Sequence, residues 1–308
     1  MATIDDLIAR LHEGGRLRVW SLAATFFGDA VAPRGGAVAM SDLSSHLERL
    51  GAEPGAIRTA MSRLARDGWV DRDRAGRKSY YRLAPTASEE TRRASARIYA
   101  VAPPPWDGRW TVALAETGSA AADAALASAG YRRLAPGVWI APDSAASPSL
   151  SATAAATAAA AAAAADTRAE PPDGGGDGRD IFYISGGAGA PPVWARALLS
   201  PPDLADRYRA LKTVWDRFEP DRITDPAEAM AARSLLIHDW RRTLLRDAPL
   251  PRALRQDDWP GAPARDRVAE IYRVLAPASE RWLDACEAGP GAAMPAAEPS
   301  FSARFGGL

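Results

Sequence analysis

"PGAIRTAMSRLARDGWVDRDRAGRKSYYRL" occupies residues 54–83, and its periodicity changes halfway along. Up to Asp67 the apolar residues Ile57, Ala60, Met61 and Leu64 recur every three or four positions. At 100° per residue they share one side of a helix, with Arg58, Thr59, Ser62, Arg63 and Arg66 on the other. Pro54 suits a first helical turn and Gly68 a stop. Beyond Gly68 the pattern becomes period two: "WVDRDR", a turn at "AGRK" built on Gly76, then "SYYRL". That spacing predicts a β-hairpin with Arg77 and Lys78 at its tip.

Upstream, "RLRVWSLAATFFGDAV" is apolar on all sides, as a buried helix would be. Ser41 precedes "DLSSHLERL", where Leu43, Leu47 and Leu50 fall on one stripe and Gly51 follows. This predicts a short capped helix. Helix, helix, donor-faced helix and hairpin is the order of a winged helix. Such a fold lays its third helix in the major groove, so Arg58, Thr59, Ser62, Arg63 and Arg66 become candidate DNA contacts. Arg77 and Lys78 become candidate contacts of the wing. Trp69, Tyr80 and Tyr81 are expected to pack the hairpin.

The charge distribution fits a local partner. The 308 residues carry 38 basic and 38 acidic side chains, so the whole chain has no general attraction to polyanions. From Arg49 to Arg82, however, nine basic residues face four acidic ones. Lys78 and Lys212 are the only lysines, so Arg carries nearly all the positive charge and its mere abundance argues little. Cys286 stands alone, which excludes an intramolecular disulfide and fits a reducing cytoplasm. No leader pattern or bilayer-length apolar run is evident, and a soluble cytoplasmic protein is expected.

Downstream, Thr86 with Glu89 predicts the start of a connecting helix running to about Tyr99, and "APPPW" marks a boundary. "RWTVALAE", "AAADAALASAG", "YRRLAPGVWIAP" and "IFYISGG" then read as strand, helix, strand or bent strand, and strand. This order suggests a ferredoxin-like α+β domain. Residues 143–180, rich in Ala and then in Pro, Gly and Asp, are expected to be a low-complexity insertion. "PDLADRYRALKTVWDRFE", "DPAEAMAARSLLIHDWRRTLLRD" and "ARDRVAEIYRVLAPASERWLDACE" predict a helical region with a Pro-rich link before its last helix. The expected class is therefore multidomain α+β. A winged helix spans 1–85, a connecting helix and linker 86–105, and a ferredoxin-like domain 106–192. A helical domain for effector binding and dimerisation spans 193–290, and a flexible tail 291–308.

Catalysis finds little support. His12, His46 and His238 lack metal-ligand spacing, "GGGDG" and "SGGAG" lack the context of a phosphate loop, and Asp107 and Glu116 form no acidic pair. Neither an enzyme nor a cofactor is predicted.

The sequence resembles the PaaX family of bacterial transcriptional repressors. The resemblance lies in "FFGDAVAPRGG" (26–36), "GAIRTAMSRLARDGWVDRDRAGRKSYYRL" (55–83), "YRRLAPGVWIAP" (131–142), "RSLLIHDWRR" (233–242) and "APLPRALRQDDWPG" (248–261). It implies a winged helix, a middle domain similar to the Cas2 fold, a helical carboxy-terminal domain and a homodimer on operator DNA. It also implies release by an aryl-acyl-CoA such as phenylacetyl-CoA, within control of phenylacetate-type catabolism. The insertion departs from the family's pattern, as does the link, where a further Pro is expected before the acidic pair Asp257–Asp258. A CoA ester needs cations for its phosphates and an apolar slot for its acyl group, which Arg233, His238, Trp240, Arg241 and Arg242 are expected to offer. The alternative is that His238 and Asp239 belong to a structural network joining the carboxy-terminal helices to the rest, with the arginines solvated. Two rival functions stand beside the repressor: a metal-dependent nuclease targeted by the winged helix, and a noncatalytic adaptor whose winged helix binds protein.

Overall fold

The structure, a computed structural model, describes residues 2–13, 17–103, 105–142, 181–187, 196, 197 and 199–308. The insertion expected at 143–180 lies outside them. The chain divides into two compact units. One comprises Met1–Val101, Asp206–Leu245 and Pro260–Leu308, the other Ala102–Ala205 and Arg246–Trp259.

The first unit opens with α1 (Ile4–Glu13), a helix that the sequence reading passed over, and α2 (Val19–Phe26). A π-helical turn, Phe27–Val31, continues α2. After β1 (Ala37–Ala39) come α3 (Met40–Arg49) and α4 (Pro54–Arg66). Ser41 lies inside α3 and Ala39 takes the N-cap position, so the expected serine cap is not formed. The hairpin strands β2 (Val70–Ala75) and β3 (Lys78–Leu83) follow, and β1 pairs with β3 to give the antiparallel order β1-β3-β2. In the hairpin Ala75 faces Lys78 across Gly76 and Arg77. Gly76 has φ of +60° and Arg77 does not share it, the φ signs of a type II′ turn. In α5 (Pro85–Ile98), Pro85 occupies the first turn and Ala84 the cap position, so Thr86 does not cap it.

The same unit contains α7 from Asp206 onward (Pro202–Trp215), α8 (Pro226–Leu244) and α9 (Gly261–Asp284), then β8 (Glu287–Gly289), β9 (Ala292–Ala293) and α10 (Pro299–Ser302). The expectation of separate amino- and carboxy-terminal domains is thus corrected. The reason is visible in α8, which is capped by Asp225 and buried from Ala229 to His238. A helix buried on nearly all sides must be enclosed by neighbours, and α2, α3 and α9 supply the enclosure.

A buried ion cluster ties these segments together. The π turn holds Asp29, whose side chain is fully buried. Its Oδ1 accepts from Tyr99 (2.6 Å), Tyr272 (2.8 Å) and Arg304 (2.9 Å), and its Oδ2 from Arg233 Nε (2.7 Å). The backbone oxygen of Asp29 accepts from Arg233 and Arg304 as well. Burial alone would raise the Asp29 pKa, yet the guanidinium groups of Arg233 and Arg304 and the Tyr99 hydroxyl outweigh it and hold the carboxyl below its usual range. Arg304 belongs to the segment expected as a flexible tail. That expectation is corrected, because Phe301, Arg304 and Phe305 are buried and Phe305 stacks edge-on against Tyr99. Phe305 keeps a φ of +53°, a conformation that a bulky side chain holds only when packing over-determines it.

The second unit has four antiparallel strands in the order β5-β6-β4-β7: β4 (Arg109–Ala115), β5 (Arg132–Ala135), β6 (Val138–Pro142) and β7 (Ile181–Gly187). "YRRLAPGVWIAP" thus forms two strands rather than one bent strand. The bend is Gly137, with φ of +70°, where a Cβ would lie 2.5 Å from the Ala115 backbone oxygen. On one sheet face Ala113, Trp139 and Ala141 pack with Leu126 of α6 (Ala120–Ser128) and with Tyr131. On the other, Trp110 packs with Leu199, Ala248, Leu250 and Leu254. The Pro-rich link therefore contributes to this unit's core. Arg255 fastens it, donating to Leu199, Asp247 and Ala248 and lying 4.4 Å from the Trp259 ring centre.

Candidate nucleic-acid interface

Helix α4 divides as its spacing predicts: Ile57, Ala60, Met61 and Leu64 are buried, while Arg58, Thr59, Ser62, Arg63 and Arg66 are exposed. The Thr59 hydroxyl donates to the Gly55 backbone oxygen (2.9 Å), which leaves its lone pairs outward. Arg58 has no protein partner among the described residues. Asp67, beyond the last helical residue, lies 3.4 Å from Arg63 and 3.2 Å from Arg66. Pairs this exposed are worth little and exchange readily for another anion.

On the hairpin, Arg77 is exposed at the turn and has no partner among the described residues, and the same holds for Arg74. Arg72 donates to Ser79 (3.0 Å) and lies over the Tyr81 ring, so its strand neighbours Asp71 and Asp73 do not neutralise it. Tyr80 and Tyr81 are buried and Trp69 meets Phe27 edge-on, all three serving the packing. Lys78 is the exception among the expected contacts. Its Nζ donates to both carboxylate oxygens of Glu287 at 2.8 Å, a partner 209 positions away that no local reading could supply.

The five residues expected around an effector are not brought to one lining. Arg233 is fully buried and donates to Asp29, Ser279 and Glu280. Trp240 is fully buried and its Nε1 donates to the Ile98 backbone oxygen (2.8 Å). His238 Nδ1 lies 2.9 Å from Thr25 Oγ1. Since that hydroxyl donates to the Ser21 backbone oxygen, it accepts from an Nδ1-protonated imidazole. Burial, aided by Arg241 and Arg242, pushes the His238 pKa down to about 3, so the ring is neutral. Arg241 binds Thr25 and Ser21 on α2, while Arg242 is exposed at the end of α8. Asp239, named with His238 in the alternative, accepts from Arg10 (2.9 Å) and from Trp215 Nε1 (3.2 Å), whereas Arg233 and Arg241, which that alternative leaves in solvent, are bound within the protein.

The remaining chemistry is sparse. His46, buried and pushed down to about 3 by desolvation, contacts Ser234 (2.9 Å) and stacks on Phe26. Asp107 accepts from the Arg109 backbone N–H (3.0 Å). Among the described residues no group of three His, Cys, Asp or Glu side chains could hold a metal ion, and no helix is long and apolar enough to cross a membrane. The sequence reading missed the Asp29 cluster and Glu287. "FFGDAVAPRGG" was the available signal, an acidic residue within an otherwise apolar helix.

Comparison with known proteins places these features. A solved structure, the uncharacterized protein Rv0674 from Mycobacterium tuberculosis, aligns with a TM-score of 0.46 at 20% identity, covering 79% of this chain and 90% of that one. The transcriptional repressor PaaX of Escherichia coli (strain K12) is 30% identical over 326 aligned positions, covering all of this chain and 96% of the relative. The family described as PaaX-like protein matches residues 18–87, which include α4 and the hairpin, and its C-terminal domain matches residues 202–285, which include α8. With both family regions matched and similarity along its whole length, the chain belongs to the PaaX-like protein family.

Proposed function

We propose that this protein is a DNA-binding transcriptional repressor that docks α4 in the major groove and the β2–β3 hairpin, as a wing, on the flanking backbone. The observation that carries the reading is the outward face of α4. Arg58, Thr59, Ser62 and Arg63 are exposed together there, with Arg77 exposed on the adjoining hairpin. Hydroxyls and guanidinium groups on one exposed helix face suit base edges and phosphates. The name of the Escherichia coli relative supports the repressor role, and the strand order β5-β6-β4-β7 supports a ferredoxin-like reading of the second unit.

The protein acts as a homodimer on an operator and is released by an aryl-acyl-CoA of the phenylacetyl type, in control of aromatic-acid catabolism. Leu114, Phe182 and Ile184 form an exposed apolar row on β4 and β7, which supports self-association. The exposed Arg242 supports an anionic effector near the end of α8. A ligand releases a dimer when it binds better to a conformation whose two heads no longer match the half-site spacing. The test is a gel-shift titration at fixed salt, using DNA from upstream of the protein's own and neighbouring genes, with and without phenylacetyl-CoA. Specific retardation that the ester abolishes is expected. Retardation indifferent to every aryl-CoA sinks the effector half, and no sequence preference at any salt sinks the repressor.

A further inference from the structure

The ion pair between Lys78 and Glu287 joins the tip of the hairpin to the carboxy-terminal segment. Lys78 Nζ lies 2.8 Å from each carboxylate oxygen, and the Tyr80 hydroxyl donates to Oε2 at 3.1 Å. An ammonium and a phenol converging on two oxygens is a donor set that suits a phosphodiester equally well. The carboxylate is held there by its backbone. Glu287 N–H donates to Asp42 Oδ2 on α3 (2.8 Å), and the adjacent Cys286 carbonyl accepts from Met294 (2.8 Å). Strand β8, which begins at Glu287, lies beside β1 of the same three-stranded sheet that contains the hairpin.

The pair is neither buried nor open. Lys78 is 58% exposed and Glu287 35% exposed, so water screens the attraction and a second anion can approach. The hydrogen bond with Glu287 raises the Lys78 pKa, and that with Lys78 lowers the Glu287 carboxyl, so both remain charged at neutral pH. Arg77, one residue earlier, has no such partner among the described residues.

We propose that Glu287 is an affinity-setting residue, an intramolecular phosphate surrogate that competes with the DNA backbone for Lys78 and Tyr80. This rests on the reading of the hairpin as a DNA-contacting wing. Docking on DNA hands Lys78 from the carboxylate to a phosphate, and the energy of the broken pair is subtracted from binding. The residue thereby weakens attachment to all sequences alike, because phosphates carry no base identity.

The experiment uses the full chain, a short mixed-sequence DNA duplex and fluorescence anisotropy across a KCl series. Four proteins are compared: wild type, Glu287→Gln, Lys78→Ala and the double variant. Glu287→Gln is expected to bind about 3- to 10-fold more tightly at low salt, with a salt slope steeper by up to about 0.9, the value for one further neutralised phosphate. Lys78→Ala lowers the slope by a similar amount, and in its background the Glu287→Gln gain disappears. Circular dichroism melts that coincide with wild type confirm that each variant is folded. Unchanged or weaker binding by Glu287→Gln, with Lys78→Ala weakened, overturns the competitor alone. A gain that persists without Lys78 also overturns it, since that marks a general charge effect. Should Lys78→Ala bind as wild type does, the wing reading fails and the competitor falls with it.

Discussion

Two arginine-bearing regions of the first unit have opposite fates. On α4, Arg58, Arg63 and Arg66 are exposed and find at most one local carboxylate, Asp67. In the interior, Arg233 and Arg304 surround Asp29 with almost no access to water. The contrast shows that an arginine's role is set by where its partner lies. A partner within a turn of helix leaves the guanidinium free for an external anion. A buried partner such as Asp29 makes it part of the structure, since a buried charge without its counter-charge is far costlier than an exposed one.

That contrast can be broken at its buried end first. Asp29→Asn leaves Arg233 and Arg304 short of a counter-charge and is expected to destabilise the protein by about 3–5 kcal/mol in urea unfolding. A loss comparable to that of a surface substitution would show the cluster to be dispensable. Phe305→Ala removes the ring that packs on Tyr99 and Tyr272, with an expected cost of about 3 kcal/mol. An unchanged midpoint would mean that the carboxy-terminal segment does not support the core.

The pH dependence follows with its sign. His46 and His238 have folded pKa values pushed from 6.5 to about 3, so their stabilisation is complete above about pH 6.5 and declines as the unfolded chain takes up protons below it. Asp29, also depressed, adds its own loss lower down, as pH falls through its folded pKa from the ordinary carboxylate value. The thermal midpoint at constant ionic strength should therefore be level just above neutrality and fall steadily from pH 6.5 downward. A midpoint that stays level into the carboxylate range would contradict this burial of the imidazoles.

At the exposed end the effect moves from stability to binding. Arg63→Ala should change unfolding by less than about 0.5 kcal/mol while weakening specific DNA binding by roughly 1–3 kcal/mol and relaxing preference at one base position. An operator-to-scrambled affinity ratio that is the same in the variant as in the wild type would remove Arg63 from base readout.

What the sequence disclosed and what it withheld divide along the same line. The faces of α4, the stop at Gly68, the hairpin turn at Gly76 and the strands of the second unit follow from spacing within a dozen residues. Such features depend on local conformation and on one apolar face. The joining of both chain ends into one unit, the burial of Arg233 and the pairing of Lys78 with Glu287 depend on contacts between distant segments. No periodicity encodes those contacts. "RSLLIHDWRR" illustrates the limit: its cations and tryptophan suit a ligand in composition, yet Arg233 and Trp240 face the interior and only Arg242 is exposed.

The Asp29 cluster also has a consequence during synthesis. Asp29 and Arg304 are separated by 275 positions. At a translation rate of about 5–20 residues per second, the carboxylate waits roughly 14–55 s on the ribosome for this partner. Through that interval the π turn lacks its full set of partners, although α2, α3 and α4 have already been made and Arg233 follows 204 positions after Asp29. A nascent chain therefore presents α4 only as part of an unfinished core. Slowing elongation between α5 and α10 should prolong the period in which a chaperone or a protease encounters that core.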